Sequence, residues 1–148
     1  YQLVQPNVFQ YDIGTFEATG DFAQIRFWVG LDATGNQAIP DSMESTHILA
    51  IQSDSLYIND SEGYIFNKAN IIRDTSTTTI TTYTVHGDAN LVEVILTTPI
   101  AVQKGQDTEL SINVDFLKFF EGVNFQTDDG TTISAKIATN TIAAFSLD

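Results

Sequence analysis

The sequence predicts an all-β fold, an antiparallel two-sheet β-sandwich with one or two short helical turns. Apolar residues alternate with polar ones, the alternating runs recur roughly every ten residues, and turn signals separate them. The stretch Thr75–Leu96 shows this best, with two such runs on either side of the break Gly87–Asn90. Two strands that flank so short a break predict a β-hairpin.

Phe22–Leu31 is the clearest long strand. One apolar face is formed by its odd-numbered positions Ile25, Phe27, Val29 and Leu31, which predicts that this face points to the core. Trp28 lies on the opposite face. A side chain of its size is more often packed than exposed, so we expect it to be packed there.

Further elements follow along the chain. The pattern predicts strands at Gly63–Ile72 and Glu109–Val114, and a closing strand at Ile142–Leu147. Asp115 is a candidate N-cap for a short helix at Phe116–Glu121. Residues 131–140 carry mixed signals that suggest one or two helical turns. We expect one core between the sheets, formed by Ile25, Phe27, Val29, Tyr64, Phe66, Val92, Val94, Leu96, Ile112 and Val114.

The connection Asp32–Asp60 shows little regular pattern. Irregular connections of this length are uncommon in compact domains and are often functional, which makes it a candidate functional loop. It carries four side chains with oxygen ligands suited to calcium, namely Asp32, Asn36, Asp41 and Glu44. Their spacing does not follow the EF-hand loop, so calcium is the weaker metal prediction.

Composition limits the partners. The 148 residues predict a single domain spanning 1–148, and the net charge of −13 disfavours nucleic acid and anionic membranes. It favours cations or a basic protein surface. The chain has no cysteine, so thiolate chemistry and disulfides are excluded. No apolar run is long enough to predict a membrane-spanning helix.

The sequence carries none of the common catalytic signatures, such as a nucleophile elbow, a metalloprotease helix or a phosphate-binding loop. We therefore expect a protein that is not an enzyme. Its two histidines, His47 and His86, are candidate ligands for a borderline metal. With Met43 close to His47 in sequence, copper is the first metal to consider.

Four segments in order resemble the MbnP-like family. They are Ile25–Asp32 followed by Asn36, the Gly-Tyr strand at Gly63–Phe66, the histidine-glycine strand end at Tyr83–Gly87, and Asn113–Gly122. The resemblance implies a β-protein of the periplasm or cell surface, linked in some bacteria to copper handling. It places His86 at the family's histidine position.

One family feature is missing. Relatives often carry Met-Tyr-Trp-x-Trp ahead of the Gly-Tyr strand, and a partner di-haem enzyme can oxidise one of those tryptophans to build the copper site. Here residues 56–60 read Leu-Tyr-Ile-Asn-Asp. The resemblance therefore supports the fold and the position of His86, and it does not extend to the tryptophan chemistry.

We accordingly expect a non-enzymatic, exported β-sandwich that binds a transition metal, copper first, through His86, with His47 as a candidate second ligand. The alternative is a structural or interaction subunit of a cell-surface assembly, which binds no metal and pairs through an exposed strand edge. A third hypothesis is carbohydrate binding through the aromatic residues Trp28, Tyr57 and Tyr64.

The N-terminus bears on the alternative. The strand pattern is already under way at Tyr1, and the resemblance implies further strands before this segment. A sandwich without its first strands has an unpaired edge that invites a strand from another chain. We therefore expect either an upstream extension or a protein partner at that edge.

Overall fold

A computed structural model describes residues 1–12, 14, 18–50 and 56–147. Within them the chain forms β1 Gly20–Val29, α1 Ala33–Asn36, β2 Tyr57–Asn59, β3 Gly63–Ile72, β4 Ile80–His86, β5 Val92–Val102, β6 Ile112–Val114, α2 Gly130–Asn140 and β7 Phe145–Leu147. All the strand pairs are antiparallel and the arrangement is sandwich-like. The predicted fold class is confirmed.

The first sheet is the pair β1–β5, in which Phe27 lies opposite Val94 and Trp28 opposite Glu93. Val94 is fully buried, and the Phe27 ring meets the Phe145 ring edge-on at 5.1 Å between centroids. The inward face predicted for β1 is confirmed. Trp28 is 53% exposed, so the expectation that it is packed is wrong. It lies on the solvent face, where the Arg26 guanidinium meets the Glu93 carboxylate at 3.3 Å.

The second sheet has the order β2-β3-β4. The hairpin predicted over Thr75–Leu96 is wrong, because β4 pairs with β3 while β5 pairs with β1. Gly87 adopts a φ of +85° and a 3₁₀ turn follows at Asp88–Asn90, so the chain leaves one sheet and enters the other. A turn between sheets and a hairpin loop both use Gly, Asp and Asn, which explains the error.

The third sheet pairs β6 with β7, and α2 lies between these two strands in the sequence. The helix predicted at Phe116–Glu121 is only a 3₁₀ turn at Lys118–Phe120. Conversely, α2 has 11 residues, more than the one or two turns predicted. The Asp129 carboxylate accepts a hydrogen bond from the Thr132 amide at 2.7 Å and caps its first turn.

Two buried apolar clusters replace the single core that we predicted. The helix-side cluster consists of Tyr83, Val85, Phe119, Ile133, Ile137 and Ala144. The smaller cleft-side cluster consists of Leu31, Leu49 and Tyr64, with Met43 and Phe66 among the side chains packed against it. The cores separate because α2 covers β4, whereas the chain around Leu49 covers the start of β3.

Ile112 is 37% exposed, so its assignment to the core is wrong. It lies on the short strand β6, whose pairing with β7 does not cover its side chain. In the part of the chain that the structure describes, no helix combines the length and the apolar character needed to cross a membrane.

Candidate functional site

A cleft of about 290 Å³ opens at one end of the second sheet. Three segments line it: residues 36–37 at the end of α1, residues 60–63 in the turn between β2 and β3, and residues 86–88 just beyond β4. The cleft therefore brings together parts of the chain that are distant in sequence. All three segments contain residues of the motifs that carried the family resemblance, namely Asn36, Gly63 and His86.

His86 is the last residue of β4 and pairs with Ile65 of β3, next to an irregularity in the register. Its backbone carbonyl accepts a hydrogen bond from the Asn90 side-chain amide at 2.7 Å. The imidazole itself is 37% exposed, and its Nδ1 atom lies 3.9 Å from the Glu62 carboxylate. The backbone of His86 is thus fixed while its ring remains open to the cleft.

The acidic side chains of the cleft differ in what they contact. Asp60 accepts a hydrogen bond from the Tyr57 hydroxyl, and this bond raises the pKa of Tyr57 to about 12. Asp88 accepts one from the Asn36 side-chain amide at 2.9 Å. Glu62 faces His86 and is half-exposed. Of the three carboxylates, the one of Glu62 is placed to share an ion with His86.

Asn36 is buried beneath the cleft, with 7% of its surface exposed. Its side-chain oxygen accepts a hydrogen bond from the Tyr64 amide at 2.8 Å. Gly63 lies against it with a φ of +71°, and a Cβ atom there would fall 2.3 Å from the Asn36 carbonyl oxygen. Glycine is therefore required at position 63 for both its conformation and its close approach.

The other predicted metal ligand, His47, lies outside this cleft. It is exposed, its Nδ1 atom accepts a hydrogen bond from the Leu49 amide at 3.2 Å, and its ring meets the Tyr1 ring edge-on. Met43 packs against the cleft-side cluster. The structure thus does not bring His47 and Met43 into the cleft with His86, and a ligand role for His47 stays a prediction.

The four candidate calcium ligands are spread in a similar way. The Asp32 carboxylate caps α1 by accepting the Gly35 amide at 2.8 Å, and the Asn36 oxygen is taken by Tyr64. Asp41 and Glu44 are exposed. Two of the four side chains thus already serve the fold.

Among the residues that the structure describes, no three His, Cys, Asp or Glu side chains converge as a metal-binding group. His86 and Glu62 therefore fit a metal ion only in an open form, with water or a second molecule completing its coordination. Glu62 was missed by sequence reasoning, although it directly precedes the Gly63-Tyr64 pair that the resemblance singled out.

A protein-family model described as MbnP matches residues 2–138. The chain belongs to the MbnP family. The match covers nearly the whole chain, so the resemblance found in four segments of the sequence is confirmed. No curated protein and no solved structure matches the chain.

Proposed function

We propose that this MbnP-family chain is a non-enzymatic, exported protein that binds Cu(II) in the cleft through His86, with Glu62 as a second ligand. One observation carries the proposal: a half-exposed imidazole and a half-exposed carboxylate face each other across the cleft, 3.9 Å apart. The link to copper handling that the family resemblance implies supports the choice of metal. The periplasmic or surface location that it implies supports export.

The donor atoms favour the cupric ion over the cuprous one. Imidazole nitrogen and carboxylate oxygen suit divalent copper, whereas Cu(I) prefers thiolate and thioether sulfur. The chain has no cysteine, and its single methionine, Met43, packs in the cleft-side cluster. The net charge of −13 adds a general attraction for cations.

Two protein ligands leave most of the coordination sphere to water or to a second molecule. Such an open site exchanges its ion readily, which suits a carrier or a buffer better than a structural centre. Cu(II) also binds nitrogen and oxygen donors more tightly than Zn(II) or Ni(II) does, so it is the preferred occupant when these ions compete.

Calorimetric titration of the metal-free protein with Cu(II), in the presence of glycine as a weak competitor, tests the proposal. We expect one equivalent to bind, and His86→Ala to weaken the affinity by more than about 100-fold. Glu62→Gln keeps the shape of the side chain and removes the charge, and it should weaken the affinity by about tenfold.

His47→Ala is the matched histidine control, since it removes the imidazole that lies outside the cleft. A loss with this variant as large as with His86→Ala would move the site away from the cleft. Equal weak uptake by the wild type and His86→Ala would contradict the proposal. Electron paramagnetic resonance of the Cu(II) complex should show nitrogen coupling that disappears in His86→Ala.

A second candidate function is a structural subunit that pairs with another chain. It is favoured by the sheet β1–β5, in which each strand has a single hydrogen-bonded partner strand within the described residues, and by the exposed Trp28. Light scattering after size-exclusion chromatography distinguishes the candidates. Concentration-dependent assembly without stoichiometric copper would favour this function, and a copper-binding monomer would reject it.

A further inference from the structure

We infer that Asn36 positions the two sides of the cleft, so that its side-chain amide holds the turn carrying His86 against the turn carrying Glu62. Only the predicted effect on Cu(II) affinity rests on the proposed function. The geometric part of the inference concerns the metal-free protein and can be tested without any metal.

The side chain of Asn36 uses both ends of its amide. Its Oδ1 atom accepts the Tyr64 amide at 2.8 Å, 28 residues away, and its Nδ2 atom donates to the Asp88 carboxylate at 2.9 Å, 52 residues away. With only 7% of Asn36 exposed, water competes little for these bonds. One small side chain thereby ties β3 to the turn that follows β4.

Both bonds end close to the proposed ligands. Tyr64 is two residues after Glu62, and Asp88 is two residues after His86. Gly63, between Glu62 and Tyr64, has no side chain and so lets this turn approach Asn36. The position of Asn36 therefore acts together with the pairing of Ile65 and His86 to set the separation of the two turns, and with it the separation of imidazole and carboxylate.

Asn36 is itself held in place by the short helix α1. Its backbone amide donates to the Asp32 carbonyl at 2.8 Å, while the Asp32 carboxylate caps the helix by accepting the Gly35 amide. A series of hydrogen bonds thus begins at Asp32 and ends at the two turns. This explains why an asparagine in an otherwise irregular connection is among the few buried polar residues.

Asn36→Asp tests the inference. It keeps the oxygen that accepts the Tyr64 amide, and it replaces the NH₂ group that donates to Asp88 with a carboxylate oxygen. Repulsion between the two carboxylates should open the turn at residues 86–88. Partners that contact metal ligands directly typically affect affinity by about 10–100-fold, and Asn36 acts through Tyr64 and Asp88, so we expect a loss of Cu(II) affinity at the lower end, about tenfold.

The double variant Asn36→Asp with Asp88→Asn supplies the rescue. It exchanges the two side chains, keeps the net charge and restores the hydrogen bond with its direction reversed. We expect it to recover Cu(II) affinity to within about fivefold of the wild type, a margin that allows for the moved charge. Asn124→Asp is the control for an added carboxylate, since Asn124 lies outside the cleft and uses its oxygen to accept the Gln126 amide.

Nuclear magnetic resonance of the metal-free proteins separates this inference from the proposed function. The His86 ring signals should move in Asn36→Asp and return in the double variant. If the wild type binds no Cu(II), the proposed function fails while these signals still test Asn36. The inference is overturned if Asn36→Asp leaves them in place, or if the folded double variant does not restore them.

Asp88→Ala provides the test should Asn36→Asp fail to fold, because Asp88 is exposed and its truncation leaves the Asn36–Tyr64 bond intact. We then expect shifted His86 ring signals and about tenfold weaker Cu(II) binding. Unchanged ring signals in this folded variant would show that the bond to Asn36 does not position His86.

Discussion

The two apolar clusters stabilise the molecule in different ways. In the helix-side cluster, α2 places Ile133 and Ile137 in full burial against β4, so that side of the protein depends on apolar packing. Among the described residues, the cleft-side cluster buries Leu31, Leu49 and Tyr64, and beside it Asn36 and Gly63 fix the backbone through hydrogen bonds and close approach. We therefore expect truncations to cost more stability beside α2, and the geometry of the candidate site to depend on the residues of the cleft.

Ile133→Ala should have the largest effect, and it tests whether the helix-side cluster depends on apolar packing. Ile133 is fully buried, and truncating such a side chain typically costs about 2–5 kcal/mol of the free energy of unfolding. Urea denaturation should detect this loss. The control is Ala135→Ser on the exposed side of α2, which should cost about 0.5 kcal/mol through helix propensity alone. A cost for Ile133→Ala as small as that of the control would show that stability does not reside at the helix.

Gly63→Ala tests the cleft side, where the close approach of Gly63 to Asn36 fixes the backbone. The added Cβ atom would meet the Asn36 carbonyl oxygen at 2.3 Å, and alanine is disfavoured at a φ of +71°. We expect a loss of about 1–3 kcal/mol in the free energy of unfolding. The amide signals of residues 60–63 and 86–88 should also move, while those of α2 stay in place. Movement across α2 as well would show that the two sides are not independent.

Side-chain periodicity was enough to predict the faces of single strands. Alternation placed Phe27 on the inward face of β1, where its ring meets that of Phe145. It could not predict which strands pair. β4 and β5 flank a turn whose residues would also suit a hairpin loop, and only the backbone path through Gly87 separates the two sheets.

The candidate site was predicted only in part, for a related reason. His86 could be found from its strand end and from the family resemblance. Glu62 joins it through the pairing of β3 with β4, which is a long-range contact. Asn36 drew attention as an oxygen ligand in a long loop, but its bonds to Tyr64 and Asp88 depend on tertiary structure. Local patterns do not contain such contacts.

The smallest expected effect concerns the charge at the start of α2. Changing this charge tests the helix side of the comparison without altering its apolar packing. The backbone hydrogen bond from Thr132 lowers the pKa of Asp129 below its usual 3.8. The hydrogen bond from Lys136 at 2.7 Å likewise lowers the pKa of the neighbouring Asp128. Both carboxylates are therefore favoured in the ionised form when the chain is folded.

A lowered pKa in the folded state adds stability above the unfolded value of 3.8, and that stability is lost as the pH falls through the folded value. Asp129→Asn keeps a good helix cap and removes the titrating group. In thermal melts between pH 7 and pH 3, we therefore expect the wild type to be the more stable at neutral pH, with the difference shrinking once the pH passes below 3.8. A difference that stays constant over this range would mean that the Asp129 charge does not stabilise the helix.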